Sequence, residues 1–175
     1  MIEAMYTMGN SRVYVPVGEH VMDMYEKSTP YKKANEKNNT TDGNAIDDVE
    51  SAMKEDLKTS IPNLQTFIPY IQKYEFEALL FSGMEGFEFL IDDKENLAKI
   101  QSINDEYPNP EDINGGRDTS PSKRLMKIFD YHKVGDSEDI IEILGFEKIY
   151  NKCPRFAQWY DSLTNALNTN STKPD

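Results

Sequence analysis

Residues Phe67–Ser82 read FIPYIQKYEFEALLFS, and the break inside this stretch decides the fold. The first part, Phe67–Gln72 (FIPYIQ), reads as a short buried strand with a proline near its start. The second part, Glu75–Ser82 (EFEALLFS), puts Phe76, Leu79 and Leu80 on one helical face, and Gly83 follows as a stop. A strand passing into a helix is the unit from which α/β sheets are built. The expectation is an α/β domain: a small sheet with a largely helical C-terminal half.

Working outward, Arg12–Val17 (RVYVPV) alternates as a strand does, and Pro16 confines it to an edge or an end. Lys32–Gly43 is polar and Asn-rich, a loop. Asn44–Leu57 places Ile46, Val49, Met53 and Leu57 at helical spacing behind Asn44 as a cap. Downstream, Gly86–Ile91 is a second short apolar segment, and Asp92–Ile103 is an amphipathic helix with an acidic first turn. A loop over Asn104–Thr119 is dense in Pro, Asn, Asp and Gly. Ser120 then suits an N-cap and Pro121 the first position of a helix running to about Phe129. Asp136–Leu144 is a helix closed by Gly145, and Pro154–Leu167 is a final helix built on Phe156, Trp159, Tyr160 and Leu163. The tail 168–175 is polar and expected to fray.

A chain of 175 residues suits one domain. No apolar run approaches the roughly 18 residues needed to span a bilayer, and no basic segment followed by an apolar stretch marks a signal peptide. The single cysteine, Cys153, excludes an internal disulfide, which points to a reducing cytoplasm. The net charge of −12 argues against free-standing nucleic-acid binding, because phosphate neutralisation drives that affinity. The window Pro108–Gly135 is nearly neutral, with Arg117, Lys123, Arg124, Lys127 and Lys133 against Glu111, Asp112, Asp118 and Asp130, so an anion site belongs there.

Two constellations carry chemistry. Glu75 and Glu77 lie where strand gives way to helix, the place where open α/β sheets put ligands, and two carboxylates suit a hard divalent cation. They act together only if the helix starts after Glu75, since residues two apart share a face only in extended chain. The plain reading is that Glu75 favours the helix dipole and Glu77 is solvated. The second constellation is Asn114–Arg124 (NGGRDTSPSKR). Lys123 and Arg124 sit in a helix's first turn, where cations are disfavoured, and together with free N–H groups they make a receptor for phosphate or carboxylate. The plain reading there is that Lys123 or Arg124 pairs with Asp118 or another acid and staples the loop. His132 lacks visible partners, and Cys153 reads as a half-buried structural thiol.

Phe67–Ser82, Asn109–Leu125 (NPEDINGGRDTSPSKRL) and Cys153–Trp159 (CPRFAQW) resemble, in this order, the signature blocks of the family named domain of unknown function 4276. Its members are considered Toprim-like and occur beside bacterial restriction and phage-defence genes. The resemblance implies a Toprim-like α/β fold, with a diverged N-terminal part over 1–66 and a family-like part over 67–167. It implies a Mg- or Mn-dependent nuclease or phosphoryl-transfer component of an anti-phage or restriction-associated system. Glu75, Glu77 and Lys123 would be catalytic, with Glu75 and Glu77 holding the metal. Asn114, Ser122, Lys123 and Arg124 would grip phosphate on a nucleic-acid substrate. Tyr74 stands where the family block often has His. Met5–Asn10 resembles the family segment that carries an acid, but Asn10 is neutral. The alternative implication is a catalytically inactive, Toprim-derived interaction module that binds a partner ATPase of the overcoming-lysogenisation-defect type.

Overall fold

The computed structural model describes residues 2–8, 11–17, 43–64, 66–72, 74–113 and 118–171. The polar segment 32–42, Asn10, Asn114, Arg117 and the last four residues lie outside the described residues. Contacts divide the chain into two units, one formed by residues 1–71 with 159–175 and the other by residues 72–158.

The first unit carries strands β1 (Ile2–Met8), β2 (Ser11–Val17) and β3 (Thr66–Ile71), and helix α1 (Gly43–Ser60). The strand order is β2-β1-β3, and β1 pairs antiparallel with both neighbours. Pro16 falls in an edge strand, as a residue without an N–H should. Helix α1 packs on β3, burying Val49 and Met53, and the Ile71 N–H donates to the Glu50 carboxylate at 2.8 Å. Trp159 belongs to this unit: its ring lies 5.0 Å from that of Tyr70, and its Nε1–H donates to the Ile68 carbonyl.

The second unit is helical. After a 3-10 helix at Phe76–Ser82 come α2 (Glu85–Leu90), α3 (Lys94–Glu106), a 3-10 turn at Pro110–Asp112, α4 (Pro121–Ile128) and α5 (Gly135–Lys152). Helix α6 (Pro154–Ser171) starts here. Asp93 caps α3 by accepting from the N–H groups of Glu95 and Asn96. Leu80, Phe87, Ile100, Ile113, Leu125 and Ile140 are fully buried and form the centre of this unit's core. Gly86 carries the α2–α5 crossing, because a Cβ there would stand 2.8 Å from the Ile140 Cα and 2.9 Å from its carbonyl oxygen. The expected stop at Gly145 is instead a kink: with φ 69° and ψ 163° it takes a conformation nearly confined to glycine, and the helix resumes to Lys152.

The expected α/β, Toprim-like sheet fold is therefore corrected. The described residues are mostly helical, and every strand pair among them is antiparallel, whereas an α/β sheet of that kind is built from parallel strands joined by crossover helices. The stretch Phe67–Ser82 does break where expected. Its strand, however, pairs with β1 from the far N-terminus, and the helices that follow it bury their apolar faces against one another.

Candidate functional site

Glu75 is extended, with φ −88° and ψ 154°, and the 3-10 helix begins one residue later at Phe76. That meets the condition under which Glu75 and Glu77 turn to a common side. Both reach one cation, the Lys133 ammonium, whose Nζ lies 3.1 Å from Glu77 Oε1 and 3.9 Å from Glu75 Oε1. Glu77 is buried, with its side chain 8% exposed, while half of Lys133 faces solvent. Buried Tyr131 borders the pair. Burial, reinforced by the negative field of Glu77, pushes its hydroxyl above the usual range, so it stays neutral.

The second oxygen of Glu75 accepts a hydrogen bond from the Ser122 N–H at 2.8 Å. Ser122 is the second residue of α4, where the N–H groups lack partners within the helix. Ser120 occupies the N-cap position without a side-chain cap bond, and Pro121 contributes no N–H. The helix end that the sequence offered to an external phosphate thus receives the chain's own carboxylate, from 47 residues upstream.

Burial alone would raise the Glu75 pKa. Hydrogen bonding from Ser122, the Lys133 charge and hydrogen bonding from Ser120 outweigh it and leave the carboxyl below its ordinary value of 4.5. Such a group adds stability above its unfolded pKa and loses it as pH falls through the lower folded one. Acid titration of the thermal midpoint should therefore show wild type dropping below about pH 4.5. Glu75→Gln should start lower and fall less steeply. Parallel acid limbs in the two proteins would show that Glu75 adds nothing through its charge.

The cations of the second constellation serve the loop. Arg124 Nε donates to the Thr119 carbonyl at 2.7 Å, and its guanidinium lies 5.2 Å from the centre of the Tyr107 ring. Lys127 donates to the Asp118 carbonyl at 2.6 Å. Lys123 is exposed. Ser122 is buried and joins the carboxylate pair through its backbone. The structure thus brings Glu75, Glu77 and Ser122 together and turns Arg124 to the loop, while Asn114 lies outside the described residues. Sequence reasoning missed Lys133, which only the fold carries to Glu75 and Glu77.

A divalent ion finds a poor donor set here. Two carboxylates converge, but an ammonium already sits on both, and one of them also closes a helix. Among the described residues no group of three His, Cys, Asp or Glu side chains could hold a metal.

A second carboxylate, also unforeseen, repeats the helix-closing device. Glu111, 2% exposed, accepts from the N–H groups of Arg155 at 2.8 Å and Phe156 at 3.1 Å, in the first turn of α6. Beside it, Cys153 is fully buried, 3.4 Å from the Ser82 hydroxyl. Burial pushes its thiol up to about 12, so it is a protonated core residue rather than a nucleophile. His132 is exposed, with ring nitrogens 4.0 Å from Asp130 and 3.7 Å from Asp136.

A family model described as a domain of unknown function (DUF4276) matches residues 20–164. No curated protein and no solved structure matches the chain. Among the described residues no helix is long and apolar enough to cross a membrane.

Proposed function

The chain belongs to the DUF4276 family, and from that premise we propose that it is a partner-binding module whose paired glutamates are internal braces. One observation carries this reading. Glu75 and Glu77 are already matched, by the Lys133 ammonium and by the Ser122 N–H, so the two groups best placed for chemistry are occupied in holding the second unit together. The ATPase of the overcoming-lysogenisation-defect type implied by the sequence resemblance is the first partner to test.

Convergence of Glu75 and Glu77 on one cation favours a second reading, a Mg- or Mn-dependent nuclease. That reading requires Lys133 to leave both carboxylates.

Thermal unfolding in EDTA and in millimolar Mn²⁺ separates the two. Metal binding to the folded state must raise the midpoint by mass action, by an amount equivalent to about 2.7 kcal/mol at a hundred times Kd. The expected result is no rise in wild type, together with a lower metal-free midpoint in Lys133→Met, which strands the buried Glu77 charge. A metal-dependent rise in wild type that disappears in Glu77→Ala would overturn the module reading in favour of the nuclease.

A further inference from the structure

The second unit carries a trough between α2 and α5, with a volume of about 570 Å³. It is lined from α2 by Glu85, Glu88 and Phe89 and from α5 by Asp139, Glu142 and Ile143. Each triplet has the spacing i, i+3, i+4, so it occupies one face of its helix, and each combines two carboxylates with one apolar side chain. The two apolar residues are open to solvent, Phe89 at 68% and Ile143 at 39%. Exposed aromatic area rimmed by polar groups is a mark of interaction sites. The carboxylates are largely uncompensated. Lys148 pairs with Glu85, while among the described residues no cation comes within salt-bridge distance of Glu88, Asp139 or Glu142. Like charges held together across two helices repel one another, and that repulsion is relieved by bringing in positive charge.

We propose that this trough docks a basic amphipathic helical segment of a partner protein. An apolar side chain of that segment packs between Phe89 and Ile143, and Lys or Arg on either side of it pairs with Glu88, Asp139 and Glu142. Apolar anchors at helical spacing flanked by cations are what a helix-in-groove site with an acidic rim selects. The net charge of −12 steers such a segment toward the chain from a distance, and the trough supplies the seat. This inference rests on the module reading and names its docking surface.

The probe is a fluorescein-labelled synthetic peptide of sequence LKKLLKKLLKKLLKK, followed by fluorescence anisotropy at physiological salt, with the Lys→Glu version of the peptide as control. The expected result is saturable one-to-one binding of the basic peptide alone. Phe89→Ala should weaken it at least about tenfold, the loss typical of an anchoring aromatic. Glu88→Lys with Glu142→Lys should weaken it further. The control pair Asp92→Lys with Glu106→Lys changes the net charge equally but lies outside the trough, and it should cost no more than about twofold. All four positions are exposed, so the variants should fold, as matching thermal midpoints would verify. Equal losses in the two charge pairs, or no effect of Phe89→Ala, would overturn the trough and leave the module reading standing. A wild-type dimer that Phe89→Ala dissolves would assign the surface to a second copy of this chain and overturn the proposal. A metal-dependent midpoint rise would instead remove the module reading itself.

Discussion

Glu111→Ala is expected to destabilise the protein by about 2–4 kcal/mol. Alanine removes the acceptor of two first-turn N–H groups of α6, from Arg155 and Phe156. Water cannot easily replace it, because Glu111 is 2% exposed. A lost N-cap costs up to about 2 kcal/mol, and buried donors left without an acceptor cost about 1–3 kcal/mol. For a chain of this length the thermal midpoint should fall by roughly 5–15 °C. Glu111→Gln should lie between the two proteins, since its amide oxygen accepts one bond while its NH₂ faces the other donor. A midpoint within about 1 °C of wild type in Glu111→Ala would mean that the α6 terminus is closed in some other way.

Gly86→Ala should be nearly as severe, at about 2–3 kcal/mol, for a steric reason. The added Cβ meets backbone atoms of Ile140 at 2.8 and 2.9 Å and its Cγ2 at 2.7 Å. A side-chain tip can turn away, but a helix backbone cannot, so α2 has to lift off α5 and loosen the packing of the buried Phe87 and Ile140. Gly135→Ala is the matched control. Nothing lies within 4 Å of its added Cβ, so its stability should stay within about 0.5 kcal/mol of wild type. Equal midpoints for the two variants would mean that the α2–α5 crossing relaxes without cost.

These two positions also show which parts of the structure were legible in the sequence. Local signals read well. The Ser120-Pro121 start of α4, the break between β3 and the 3-10 helix, and the apolar faces of α1 and α3 all follow from spacing over a few residues. The fold class did not follow, because strand pairing is a long-range choice: β3 takes as its neighbour β1, whose paired residues run from Thr7↔Thr66 to Ile2↔Ile71, and no periodicity within β3 records that. The site was half legible. The spacing of Glu75 and Glu77 stated the condition for their convergence, and the chain meets it. Lys133 was invisible as their partner, and so was Glu111 as a cap, since a carboxylate arriving from 44 residues upstream leaves no local pattern. The rule broken at Lys123 and Arg124 pointed to an anion at the α4 terminus. The anion there is Glu75, a member of the other constellation.

The remote closure of α4 and α6 bears on the order of folding. A helix capped by its own neighbours can nucleate alone and wait for the rest of the chain. Here the first turns of α4 and α6 gain their acceptors only after loops of 47 and 44 residues have closed, and closing a loop costs entropy before the contact returns anything. These turns therefore belong to the late, cooperative part of assembly. In reverse, neither helix can fray from its N-terminus without releasing the segment around Glu75 or Glu111, so local opening there is tied to loss of the whole unit.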